Sequence, residues 1–195
     1  MIEAWVDVDS TLWPFRPHFI SRLSKKSGMT VIDDSYHIDE KKYGLTQEDI
    51  RTTIDGIFED QYLYKPFPDT DIFLYHLMKN CDKVTIISHR DPSWTEGLEE
   101  WFHLNDLKTY CNEIICTKAP KHEFMNPEKV NILIDDAKEV LEGAEGKAHR
   151  FTIQYYYNEN IPGVHYGKNL SELIPKINSI IKGNNNVQSK STNDF

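Results

Sequence analysis

The stretch Ile2-Glu3-Ala4-Trp5-Val6-Asp7-Val8-Asp9-Ser10-Thr11-Leu12 decides how the rest of the chain is read. Its first half is apolar and predicts a short β-strand. Polar residues, then Pro14 and Pro17, mark its end. Two carboxylates, Asp7 and Asp9, therefore stand at the carboxyl end of the strand.

The same arrangement recurs twice further along. Val84-Thr85-Ile86-Ile87 is an apolar run of the fully buried kind, and it ends in Ser88-His89-Arg90. Ile132-Leu133-Ile134 ends in Asp135-Asp136. Between and beyond these runs, helical patterns alternate with strands. Residues 69–80 read as an amphipathic helix with Ile72, Tyr75 and Met78 on one side, and Ser93-Trp94-Thr95-Glu96 reads as a capping box opening a helix through Leu104. Short strands are expected at 113–116 and 151–154, and a last amphipathic helix at 170–181. This alternation implies an α/β fold, a Rossmann-like parallel sheet with helices on both faces. Ligands in such sheets bind beyond the carboxyl ends of the strands.

Residues 14–64 break the alternation. Phe19, Ile20 and Leu23 have helical spacing, stopped by Ser27-Gly28. Thr46-Gln47-Glu48-Asp49 resembles a capping box ahead of a second helix carrying Ile50, Ile54, Ile57 and Phe58. We read a helical insertion at 14–64 within a core formed by 1–13 and 65–182. From Gly183 the sequence is Asn/Ser-rich, so 183–195 are expected to be a disordered tail.

The 195 residues suffice for a hydrophobic core without disulfide staples. A net charge of −9 argues against non-specific binding to nucleic acid or anionic membrane, both of which favour a basic surface. It does not argue against a phosphorylated substrate, because one bound divalent cation reverses the local field. Cys81, Cys111 and Cys116 have no metal-ligand spacing and read as free thiols of a reducing compartment. No leader and no membrane span is expected, and the expected location is the cytoplasm.

Each strand end alone has a plain explanation: turn chemistry for Asp-x-Asp, a helix cap for Asp-Asp or Ser. Together, in a parallel sheet, they bring four carboxylates and a hydroxyl to one edge. Like charges so placed repel, and hard carboxylate oxygens select a hard cation such as Mg²⁺.

Asp7-Val8-Asp9-Ser10-Thr11-Leu12 resembles the first motif of the haloacid-dehalogenase-like (HAD) superfamily. Ser88 after Thr85-Ile86-Ile87 resembles the second, and Asp135-Asp136 after Ile132-Leu133-Ile134 the fourth. The resemblance implies Asp7 as nucleophile, forming an aspartyl phosphate, and Asp9 as its acid/base partner. It implies that Ser88 hydrogen-bonds the phosphoryl group. Mg²⁺ would be held by Asp7, the backbone carbonyl of Asp9 and Asp135, with Asp136 in support. The third motif is a lysine, and Lys118 and Lys121 both qualify; Lys121 ranks first because it follows Pro120 at a helix start.

The insertion resembles the helical cap of the 5′(3′)-deoxyribonucleotidases, which implies a small phosphorylated substrate, a nucleoside monophosphate. Thr11, Trp13 and Phe15, with Phe19, are then candidates for contact with substrate, the aromatic rings as a wall for a base. Arg16, His89 and Arg90 are candidates to grip a phosphate or sugar, Arg90 foremost because a guanidinium suits bidentate oxyanion contacts. Thr11-Leu12-Trp13-Pro14-Phe15 also resembles the first motif of the magnesium-dependent phosphatase family, whose cap is much smaller. The competing readings are a phosphatase on sugar phosphates, polynucleotide ends or phosphoproteins, and a non-catalytic HAD-fold binding module. Assembly into a homo-oligomer is left open.

Overall fold

The computed structural model describes residues 1–33 and 35–191, with side chains described through Asn184. The opening stretch forms β1 (Ile2–Val6). It pairs in parallel with β2 (Lys83–Ser88) on one side and with β4 (Val130–Ile134) on the other. With β3 (Glu113–Cys116), β5 (His149–Ile153) and β6 (Val164–Gly167), the sheet has the order β3-β2-β1-β4-β5-β6, every pair parallel. The order reverses direction at β1, which makes β1 the switch point where a crevice opens.

β1 is central and buried on both faces, so its apolar run is nearly continuous. Ala4 and Val6 face one apolar layer with Ile86, Ile132 and Ile134, covered by α3 (Thr70–Asn80) and α6 (Leu170–Ser191). Trp5 faces the other layer, with Ile87, Leu133 and Leu141 of α5 (Lys138–Gly143). The α4 helix (Thr95–Leu104) packs beside β3.

The segment after β1 holds α1 (Phe15–Ser27), which ends on Gly28 in the left-handed region (φ 69°), and α2 (Gln47–Glu59). The Thr46 box forms: its hydroxyl accepts from Asp49 N at 3.1 Å, and the Asp49 carboxylate accepts from Thr46 N at 2.9 Å. Short 3-10 turns lie before α2 at Glu40–Tyr43 and after it at Gln61–Leu63. The chain returns where Phe67 N donates to the Leu12 carbonyl at 2.8 Å. Departure and return are thus side by side.

Four local expectations are corrected. Ile72, Tyr75 and Met78 are the outward face of α3, 58%, 49% and 37% exposed, while Phe73, Leu74 and Leu77 are buried. The helix carries two apolar stripes, and spacing alone cannot say which one meets the sheet. Ser93 does not cap α4; Asp91 accepts from Ser93 N at 3.0 Å and starts a 3-10 turn, Pro92–Trp94, that feeds the helix. β6, only four residues and half polar, was not foreseen. At the carboxyl end α6 continues through Ser191 where a disordered tail is expected from Gly183, because extending a packed helix costs far less than starting one. Residues 192–195 of that expected tail lie outside the described residues. Among the described residues no helix is long and apolar enough to cross a membrane.

Candidate active site

The register fixes what meets at the sheet edge. Val6 aligns with Ile86 and with Ile134, so the residues that follow β1, β2 and β4 emerge together. Asp7 N donates to the Ile134 carbonyl (2.9 Å), and Asp135 N to the Phe151 carbonyl (3.1 Å), which carries the sheet geometry into both acids. Beyond Asp7 the chain turns tightly, with Leu12 N donating to the Val8 carbonyl at 2.8 Å and Ser10 at φ 62°.

Asp7, Asp135 and Asp136 are all buried, and one oxygen of each lies within 4.8 Å of the others. Lys121, 3% exposed, is inserted among them: its Nζ donates to Asp7 Oδ1 at 2.5 Å and Asp135 Oδ2 at 2.6 Å. Asp136 accepts from the Tyr157 hydroxyl at 2.7 Å. Burial pushes the Asp7 carboxyl up to about 7, against the lowering pull of Lys121, with Asp135 and Asp9 adding to the rise. Asp136 is raised well above the carboxylate range, by burial first and then by Asp7 and Asp135. Burial works against the Lys121 charge too, but Asp135 and Asp7 outweigh it and hold the ammonium above its ordinary range. One ammonium is shared among three carboxyl groups, and the raised values of Asp7 and Asp136 show that Lys121 alone does not offset the negative charge the cluster would carry when ionised. The donor set is all hard oxygen, so these three residues could hold a divalent cation of the Mg²⁺ kind.

Asp9 points elsewhere. Its Oδ1 accepts from Trp13 Nε1 (2.9 Å) and Arg90 Nη2 (2.6 Å); its Oδ2 accepts from Arg90 Nε (2.9 Å) and Ser88 Oγ (3.3 Å). The bidentate partner, Arg90, is 1% exposed.

A cleft of about 1120 Å³ opens over Asp7 and Asp9. Its floor is Asp7, Asp9, Asp135, Asp136 and Lys121, and Phe15, Phe19, Ile50, Ile54, Phe58 and Trp94 form an apolar wall. His89 and Lys118 stand at its edge; burial, then Lys118 and Lys121, lower the affinity of His89 for a proton.

Of the residues expected to meet substrate, Phe15, Arg16, Phe19 and His89 line this cleft, and three do not. Thr11 is buried. Trp13 is fully buried behind the wall, its ring 5.3 Å from Tyr64, and its indole N–H is committed to Asp9. Arg90, expected to grip substrate, is buried as well, outside the lining of the cleft, with its guanidinium bonded to Asp9 and Gln61. Ser88 is wholly buried and reaches Asp9, without opening onto the cleft. Lys118 is exposed, its Nζ 3.4 Å from the His89 carbonyl, and the position between the acids belongs to Lys121. Asp9 contributes no side-chain oxygen to the three-carboxylate group.

Arg16, expected to grip a phosphate or sugar, lines the cleft but is occupied in holding the loop before α2: it donates to Asp33 Oδ1 (2.6 Å), to the carbonyls of Ser35 and Tyr36, and to the Tyr156 hydroxyl. Other residues were not anticipated. Tyr155 donates to the Ser10 carbonyl at 2.7 Å and stacks on Tyr157. The run Tyr155-Tyr156-Tyr157 follows β5 after Gln154 at this same sheet edge, and three aromatic hydroxyls there were a legible signal. Gln61 and Phe58 had no such signal, since only the folded chain brings them to Arg90.

No protein-family model and no curated protein matches the sequence. Solved structures match the fold over most of its length. A haloacid-dehalogenase-like family hydrolase from Streptococcus pneumoniae has a TM-score of 0.64 at 15% identity, covering 90% of this chain and 97% of its own. CbbY from Rhodobacter sphaeroides, in complex with xylulose-1,5-bisphosphate, has a TM-score of 0.59 at 13% identity, covering 88% and 95%. A protein described as a HAD-hydrolase, YfnB of Bacillus subtilis, bound to magnesium, has a TM-score of 0.61 at 12% identity, covering 90% and 98%. The fold is that of HAD-like hydrolases, an α/β Rossmann-like parallel sheet as expected.

Proposed function

We propose that the protein is a magnesium-dependent phosphomonoester hydrolase in which Asp7 is the nucleophile and Asp9 the acid/base partner. One observation carries this reading: Asp7, Asp135 and Asp136 bring three buried carboxyl groups together around the single ammonium of Lys121 at the sheet's switch point. A structural role accounts poorly for three buried carboxylates around one lysine, since burying unpaired charge is costly.

Asp7, Asp135 and Asp136 would hold the metal, with the Asp9 carbonyl in support. When bound, the ion supplies positive charge that offsets the phosphoryl oxygens. Asp7 attacks phosphorus, and its P–O bond forms as the bond to the leaving oxygen breaks. Lys121 keeps Asp7 aimed and its charge balanced. Asp9 gives a proton to the leaving oxygen, then takes one from the water that releases phosphate. Ser88 turns its hydroxyl from Asp9 to the phosphoryl group.

Residues 14–64 act as a cap whose wall excludes water over the cluster. Phe15, Phe19, Phe58 and Trp94 favour a substrate with a flat apolar portion, and on that ground we favour a (deoxy)nucleoside monophosphate. A sugar phosphate is the second reading, supported by the sugar bisphosphate in the CbbY structure. The three free cysteines support a cytoplasmic reading, since thiols stay reduced there.

Phosphate release from nucleotides, sugar phosphates and p-nitrophenyl phosphate, with and without Mg²⁺, tests both levels. Mg²⁺-dependent release supports hydrolysis. A preference for 5′- or 3′-nucleotides over the other esters supports the nucleotidase assignment, and a preference for sugar phosphates overturns it. Absence of release from every ester overturns the whole reading.

A further inference from the structure

The Asp9 carboxylate accepts four hydrogen bonds, two at each oxygen, from Trp13, Ser88 and the two arms of Arg90. A carboxylate has about four lone-pair sites, so in the resting enzyme this one is fully occupied and its plane is fixed; the Oδ2 site held by Ser88 must open before Asp9 can carry a proton. Arg90 provides half of those bonds and the opposite charge. The weakest of the four is Ser88, at 3.3 Å, which makes it the donor most easily given up to a phosphoryl oxygen.

What aims Arg90 comes from the other side of the cleft. Its Nη1 donates to Gln61 Oε1 at 2.6 Å, and its guanidinium carbon lies 3.9 Å from the centre of the Phe58 ring. Phe58 is in α2 and Gln61 in the turn that follows it. Gln61 is itself 2% exposed, and its Nε2 has no partner among the described residues. A buried amide with one end unpaired is destabilising, and the contact its other end makes is the one to Arg90.

We infer that Arg90 is a positioning residue for Asp9, and that Gln61 and Phe58 make the aim of that acid/base carboxylate depend on the segment between β1 and α3. Asp9 serves twice in the proposed reaction. It donates the proton that leaves with the alcohol, and after the Asp7–phosphorus bond has formed it removes a proton from the attacking water. A carboxylate free to rotate fails in both. A lysine in place of Arg90 keeps the charge but cannot make two parallel bonds, so it does not restore the aim. The inference rests on the hydrolase reading above, and wild-type turnover separates the two.

The test uses the full chain with Mg²⁺ and two substrates, an alkyl phosphomonoester that turns over in the panel and p-nitrophenyl phosphate. Nitrophenolate departs without a proton, so its release does not need the acid. Arg90→Lys is expected to lower kcat/KM for the alkyl ester on the order of 10²-fold, the usual contribution of a general acid. For p-nitrophenyl phosphate kcat/KM should stay within about threefold, while kcat falls and a burst of nitrophenol appears as the phosphorylated enzyme accumulates. Gln61→Leu should show the same pattern, weaker. It removes the contact to Arg90 and buries no new polar group, so it tests the inference even if Arg90→Lys folds poorly. An equal loss on both substrates without a burst, in either folded variant, overturns the role of Arg90 and leaves the hydrolase reading standing. A wild-type protein that turns over neither substrate overturns both.

Discussion

Lys121 and Asp7 are 114 positions apart in the chain and meet at 2.5 Å, both almost wholly buried. The contact joins the 3-10 turn Lys121–Phe124 to the end of β1, and the second arm of the same ammonium reaches Asp135 at the end of β4. Three chain segments are tied by one side chain.

Lys121→Met is therefore expected to be strongly destabilising when metal is chelated. Removing one partner of a buried ion pair costs about 3–5 kcal/mol because the remaining charge is left unpaired. Urea denaturation in EDTA measures it. A loss below about 1 kcal/mol, the scale of surface pairs, would show that the carboxylates do not depend on the lysine.

Mg²⁺ should raise the melting temperature of the wild-type protein, since a ligand that binds only the folded state stabilises it. The shift should vanish in Asp135→Asn, which removes a charged ligand oxygen while preserving side-chain volume. Thermal melts across a Mg²⁺ titration decide this, and an equal shift in both proteins would place the ion elsewhere.

Trp13 separates packing from chemistry. Trp13→Ala empties a fully buried site and should cost about 3–5 kcal/mol. Trp13→Phe keeps most of the stacking on Tyr64 but removes the donor to Asp9. Its kcat should fall by about tenfold, the scale of one hydrogen bond to a charged group, with a much smaller loss of stability than Trp13→Ala. Unchanged kcat in a folded Trp13→Phe protein would detach Trp13 from Asp9.

The capping box of α2 gives a pH signature. The Thr46 hydroxyl and backbone N–H hold the Asp49 carboxyl down at about 2, against 3.8 for the free group. A depressed folded-state value means that the contribution is complete above the unfolded value and disappears as pH falls from 3.8 through about 2. The stability difference between wild type and Asp49→Asn should close over that window in acid-titrated denaturation. Thr46→Ala should cost about 0.5–2 kcal/mol at neutral pH. A difference between wild type and Asp49→Asn that persists below the window would show that Asp49 acts through something other than its charge.

The sheet was legible because β1, β2 and β4 are buried on both faces and so carry continuous apolar runs, each ending in chemistry-bearing residues. β6 escaped because an edge strand of four residues, Val164–Gly167, needs little apolar content. The convergence of Asp7, Asp135 and Asp136 follows from parallel register alone, and was expected on that ground. The partners of Asp9 were only half legible. Arg90 stood one position beyond a strand-end histidine and looked free to meet an oxyanion; that its oxyanion is Asp9 depends on Gln61 and Phe58, which no local pattern connects to it. Trp13 and Phe15 share one aromatic cluster, yet one is buried and the other lines the cleft, a distinction set by the turn after Asp9 and invisible to hydropathy.

The central claim is that Asp7 becomes covalently phosphorylated. Acid-quenching the enzyme during turnover with Mg²⁺ and p-nitrophenyl phosphate, followed by mass spectrometry of its peptides, tests this directly. The account predicts one added phosphoryl group on the peptide bearing Asp7, absent in Asp7→Asn. Turnover at the wild-type rate by Asp7→Asn, or a phosphoryl group found on another residue, would contradict it.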